Sequence, residues 1–139
     1  MEVCGGLNRY SREAKEHAFQ MYDAIPKRSK DFLEIAKNTG FSIEQIQMIK
    51  SHIFRHSHYL NGNTMTEKFA PSYEMCESWR RLSEKDGKNI KKHDVLLLYH
   101  ELYEINLLLM HTDMSQNTAH NLANVKYNYE FACREFYRN

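Results

Sequence analysis

The segment VLLLYHELYEINLLLM, residues 95–110, constrains this chain more than any other part of it. It is apolar enough to lie at the centre of a fold, yet it carries His100, Glu101 and Glu104 in its middle. An ionised carboxylate is almost never fully buried without a partner, because removing it from water is costly or shifts its pKa until it neutralises. The segment is also too short and too charged to span a membrane. It is therefore expected to be a core helix whose polar residues are compensated by groups from elsewhere in the chain.

The flanking sequence has helical period and helical punctuation throughout. Ser11 can cap a helix bearing Ala14, Ala18, Phe19 and Tyr22 that ends near Pro26. Phe32, Leu33, Ile35 and Ala36 lie on a shorter helix that stops at Gly40. In FSIEQIQMIKSHIF, Ser42 and Gln45 form a capping box, Ile46, Ile49 and Ile53 share a face, and His52 rides on the same helix. A polar stretch with an Asn61-Gly62 turn signal follows. Pro71 then opens a helix through Tyr73, Cys76, Trp79 and Leu82. Asp94 can cap the central helix, and Ser115 can cap a last helix running through Ala119, Leu122, Ala123, Tyr127, Phe131 and Phe136. With two prolines and five glycines, the chain lacks the turns of an all-β fold. The expectation is an all-α fold in which residues 1–139 form a single compact domain of about six helices around the central apolar one.

Projected on a helix, His93, His100, Glu104 and His111 form one narrow stripe, with Glu101 about a quarter turn away. His100 and Glu104, four residues apart, can converge on one ion or one proton. His-Glu-x-x-Glu resembles the zinc motif His-Glu-x-x-His with its second His replaced, and Glu can also ligate zinc. Three readings are open: a zinc site, a structural set of polar contacts between helices, and acid/base chemistry without a metal, in which a carboxylate orients each imidazole and raises its pKa.

Other residues can join this group. The chain has eight histidines, with His52, His56 and His58 clustered at the end of the Ile-striped helix and His120 in TAHNLA. A cleft between three helices would gather His52 or His58, His100, Glu101, Glu104 and His120. A basic run, Arg80, Arg81, Lys85, Lys88, Lys91 and Lys92, leads into His93, and such groups hold phosphates. Trp79 is either a stacking ring beside Arg80 or a core residue. Tyr99, Tyr103, Tyr127 and Tyr129 supply hydroxyls to an anion. The net charge of +1 excludes a strongly basic nucleic-acid wrapper but not a local patch. Cys4, Cys76 and Cys133 have no paired spacing, so neither a disulfide framework nor a zinc knuckle is indicated. No stretch reads as a signal peptide, so the chain as given is expected to be soluble and unaddressed.

The series HIFRHSH, KFAPSYEMCESWRRL, HDVLLLYHELYE and TAHNLANVKYNY resembles an α-helical domain found at the C-termini of bacterial polymorphic toxins and of Mu F-like phage head proteins. The likeness spans about residues 49–129, through His52 and Phe54, His58, Phe69, Trp79 and Leu82, His100 with Glu101 and Glu104, and Ala119 with His120. Arg80 and Arg81 both offer themselves for one arginine position, and His56 stands beside His58. The resemblance implies a toxin payload within a larger precursor, delivered into the cytoplasm of a neighbouring cell and neutralised by a cognate immunity protein. Such payloads are frequently nucleases, often of transfer RNA.

The leading expectation is an RNA-cleaving nuclease with no favoured cofactor. His100 or His120 would act as base, His52 or His58 as acid, Glu101 and Glu104 would orient the imidazoles, and Arg80 would stabilise the phosphorane. Arg81, Lys88, Lys91, Lys92, Tyr103 and Tyr127 would bind the substrate. The alternatives are a zinc-type metal-dependent hydrolase, DNase or peptidase, with His100, Glu104 and His120 as ligands, and a non-catalytic binding module.

Overall fold

The computed structural model describes residues 10–55 and 72–138. The fold is all-α, and no strand occurs among the described residues. Among the described residues seven α-helices follow in order: α1 Arg12–Ala24, α2 Asp31–Thr39, α3 Ile43–Lys50, α4 Tyr73–Ser83, α5 Lys92–Met110, α6 Gln116–Lys126 and α7 Tyr129–Tyr137. Of the described helices, none is long and apolar enough to cross a membrane.

Local chemistry sets most of the boundaries. The Ser11, Ser42, Ser72 and Ser115 hydroxyls each accept from the backbone N–H three residues on, which satisfies a donor the helix itself leaves open. Gln45 returns the bond to the Ser42 N–H and completes the expected capping box. Gly40 ends α2 at φ 85°, a conformation that an L side chain rarely adopts. Asp94 is not the cap of the central helix. It sits one turn in and accepts from the N–H of Lys91, which occupies the cap position.

Three further expectations change. The last helix is two: the chain leaves α-geometry at Tyr127, and Asn128 caps α7 by accepting from the N–H of Phe131. That break turns α7 back across α5 and brings Glu130 to His120. His111 lies beyond the last turn of α5 with non-helical dihedrals and is exposed, so it leaves the stripe. The α3 helix stops at Lys50 and passes into one π-turn, Ser51–Arg55, which carries His52. Such turns interrupt an α-helix locally and are frequent at functional sites. Asn61-Gly62, Phe69 and Pro71 lie outside the described residues.

The central helix α5 packs against α3, its π-turn, α4, α6 and α7, while α1 packs on α4 and α2 on α3 and α4. Leu97 and Leu98 are fully buried there, each worth about 1.5–3 kcal/mol of burial. Trp79 is a core residue with no exposed surface, in edge contact with Phe54 at 5.2 Å. Its Nε1 donates to Asp31 Oδ2 at 2.9 Å, and Lys50 Nζ donates to Asp31 Oδ1 at 2.8 Å. This buried knot ties α2 to α4 and to the end of α3, directly before the π-turn. Ile53 and Phe54 of this turn are buried, and the turn brings His52 to Glu104 on α5.

Candidate functional site

Three imidazoles from three separate segments close on one carboxylate. His52 Nε2 donates to Glu104 Oε1 at 2.7 Å. His100 Nε2 and His120 Nδ1 stand 3.4 and 3.3 Å from the other oxygen, Oε2. Glu101 lies between His52 and His100, 3.7 Å from the Nε2 of each. Gln116 also donates its Nε2 to Glu104 Oε1. The Glu101, Glu104 and His100 side chains are nearly inaccessible, at 6, 3 and 2% exposure, whereas His120 is 34% exposed and forms the solvent side of the cluster.

The outward nitrogens decide how the inner ones are used. His100 Nδ1 donates to the backbone carbonyl of Tyr127 at 2.9 Å, and His120 Nε2 donates to Glu130 Oε1 at 3.0 Å. Neither acceptor can give a proton back, so each ring presents its second nitrogen to Glu104 Oε2 as a lone pair unless it is doubly protonated. Two lone pairs aimed at one carboxylate oxygen need either protons or a cation between them. A ring that donates outward to a carbonyl or carboxylate while its second nitrogen points inward is also how metal-ligating histidines are held. His100, Glu104 and His120 form one set whose ligand atoms all lie within 4.8 Å, and His52, Glu101 and Glu104 form a second. These groups could hold a metal ion.

Without a cation the protons must do the work. His120 is pushed up to about 9 by its bond to Glu104, against a smaller loss from burial. Burial pulls His52 and His100 down, but the Glu104 hydrogen bond and the Glu101 charge outweigh it and both end above 6.5. Burial opposes the charge on Glu104, yet bonds from all three histidines hold its carboxyl far below the usual range. Burial and the Glu104 charge push Glu101 up to about 7. The sign for stability follows. His120 is stabilising in its charged form below its free value of 6.5, and that contribution is lost as pH rises through 9; Glu101 acts in the same direction but lower, its share being lost as pH rises from 4.5 through 7. The melting temperature of chelator-treated protein is therefore expected to fall between pH 6.5 and pH 9. A flat or rising profile over that window would show that the carboxylates do not hold these protons.

A pocket of about 250 Å³ adjoins the cluster, with His100, His120, Asn124, Glu130, Cys133 and Arg134 in its wall. The exposed Glu130 and Arg134 stand at its solvent edge. Among the described lining residues Arg134 is the one arginine or lysine.

The structure thus brings together His52, His100, Glu101, Glu104 and His120. His56 and His58 lie outside the described residues. Arg81 is withdrawn from substrate, fully buried in a two-pronged pair with Asp94 at 2.8 Å for both bonds. Arg80 forks onto Glu77 and Glu84 of its own helix and terminus and is not among the described residues lining the pocket. Lys91 and Lys92 are exposed at the start of α5, with Lys88 in the loop before it. At 1.5 Å per residue, Lys92 lies roughly 18 Å along the axis from Glu104. Tyr103 and Tyr127 pack edge to face at 5.9 Å, with Lys126 over Tyr103. Tyr127 enters the site through its carbonyl.

Gln116, Asn124, Glu130 and the Tyr127 carbonyl escaped the sequence reading. A signal existed for two of them, because Gln116, His120 and Asn124 are spaced by four and form one polar stripe on α6. None existed for Glu130, which arrives on a different helix. Comparison with protein-family models, with curated proteins and with solved structures gives no match to this chain.

Proposed function

We propose that this chain is a toxin effector domain that hydrolyses phosphodiester bonds, RNA first, at a divalent-cation centre made by His100 Nε2, Glu104 Oε2 and His120 Nδ1. The observation that carries the reading is the convergence of two imidazole lone pairs on a single carboxylate oxygen beside a pocket. Zinc bonds of about 2.0–2.1 Å in a tetrahedron give ligand separations of about 3.3 Å. The two nitrogen–oxygen distances here are 3.4 and 3.3 Å. Such an ion would supply Lewis acidity and lower the pKa of a bound water.

The residues around it have separable roles. The Tyr127 carbonyl and Glu130 orient the two rings, His52 and Gln116 hold Glu104 by its other oxygen, and Arg134 offers a positive charge to a phosphate at the pocket edge. A metal-free nuclease fits less well. It needs a neutral imidazole as base, and the bond to Glu104 raises the pKa of all three histidines, that of the solvent-side His120 up to about 9. RNA and the toxin setting, with delivery from a larger precursor into a target cytoplasm and a cognate immunity protein as partner, rest on the resemblance of residues 49–129.

The test is incubation of the purified chain with total RNA, plasmid and casein, with and without chelator. The expected outcome is RNA cleavage that chelator abolishes and zinc or manganese restores. Cleavage that survives chelator returns the metal-free mechanism, casein cleavage makes the centre a peptidase, and no cleavage in any tube favours a binding module.

A further inference from the structure

One cation explains only half of the cluster. It uses Glu104 Oε2, His100 and His120, and leaves His52, Glu101 and Glu104 Oε1 as a second, equally buried group.

We propose that this second group holds its own divalent cation, ligated by His52 Nε2, Glu101 Oε1 and Glu104 Oε1, so that Glu104 bridges a pair of ions. The inference rests on the first site being a cation site and goes beyond it in number and in ligands.

The two carboxylates are divided in the same way. Glu104 turns Oε1 to His52 and to the Gln116 amide, which keeps one of that oxygen's two lone pairs, and Oε2 to His100 and His120. Glu101, one turn earlier on α5, turns Oε1 to His52 and Oε2 to His100. Each therefore offers one oxygen to either side, the disposition of two carboxylates spanning two ions. Both Glu101 separations are 3.7 Å, beyond hydrogen-bond length. With bonds of about 2.1 Å, a separation of that size corresponds to an angle of about 120° at an ion between the two atoms. His52 stands 2.7 Å from Glu104 Oε1 and must open to about 3.3 Å to admit a cation. Its place in a five-residue π-turn, rather than in a regular α-helix, is where such a shift would occur. Paired hydrolytic ions sit about 3.5–4 Å apart, a span that one bridging carboxylate covers. They also clamp the attacking and leaving oxygens of a phosphodiester, so the pair suits the proposed substrate class.

The experiment is metal stoichiometry. The full chain, loaded separately with Zn²⁺ and with Mn²⁺ and desalted, is expected to retain two ions per chain, and the manganese form to give the spin-resonance spectrum of an exchange-coupled pair. His52→Gln is expected to retain one ion with an uncoupled spectrum, and Glu101→Gln to do the same should His52→Gln fail to fold by circular dichroism. One ion in the unmodified chain with both metals overturns the bridged pair and leaves the first site standing. Two ions in both folded variants also overturn it. No ion with either metal overturns the first site as well.

Discussion

Glu104→Gln is expected to lower kcat/KM for the proposed RNA hydrolysis about a thousandfold, an increase of about 4 kcal/mol in the barrier. The substitution keeps shape and removes charge. Glu104 is the one residue that belongs to both possible ligand sets, and it touches His52, His100, His120 and Gln116. An amide presents one oxygen where the carboxylate presents two, and its nitrogen cannot ligate. Three imidazoles would also lose the charge that raises their pKa values. Rates measured under single-turnover conditions, with circular dichroism to verify the fold, check this. A loss of less than tenfold would place the chemistry elsewhere, because a ligand to a catalytic ion is worth several kcal/mol of transition-state charge.

The largest effect on stability is expected away from the site, at Asp94→Ala, with a cost of about 3–5 kcal/mol. Arg81 and Asp94 have no exposed side-chain surface, and the guanidinium grips both carboxylate oxygens. Burial holds His93 down at about 4, so it stays neutral and its Nε2 accepts a further bond from Arg81. Removing Asp94 leaves a buried guanidinium without its counterion and also frees the Lys91 N–H at the start of α5. For a chain of this size the cost corresponds to a fall in melting temperature of about 10–20 °C. Replacing both partners together, Arg81→Met with Asp94→Leu, should recover much of it, since a buried pair is costly to break and cheap to replace. Urea unfolding of the single and double variants separates the two expectations. A single variant within 1 kcal/mol of the parent would mean that water reaches Arg81.

This pair also shows how differently neighbours in a basic run are placed. Arg80 and Arg81 look equivalent in WRRL, yet one is half-exposed on acidic neighbours and the other is sealed in the core. The difference is a matter of which face α4 turns toward Asp94, thirteen residues on. Lys88, Lys91 and Lys92 adjoin His93 in sequence, but the length of α5 carries them away from Glu104. Adjacency along the chain is a poor guide to adjacency at a site when a long straight helix lies between.

Short-range rules did better. Serine caps, the Ser42–Gln45 box and Gly40 act within one helical turn, so their consequences are already present in a few neighbouring residues. The pairing of His100 with Glu104 follows from the same turn geometry. The join between α6 and α7 was missed because the apolar period runs on through Tyr127 and Asn128, and an asparagine cap is a weaker signal than the hydrophobic stripe it interrupts.

Read alone, the residues determined an all-helical chain with a polar, ionisable centre in its most apolar segment, because helix periodicity and burial cost depend only on residue type and spacing. The tertiary structure alone decided which nitrogen of each histidine faces which oxygen of Glu104. That choice depends on the Tyr127 carbonyl, on Glu130 and on a π-turn, contacts made by segments that meet only when the helices pack.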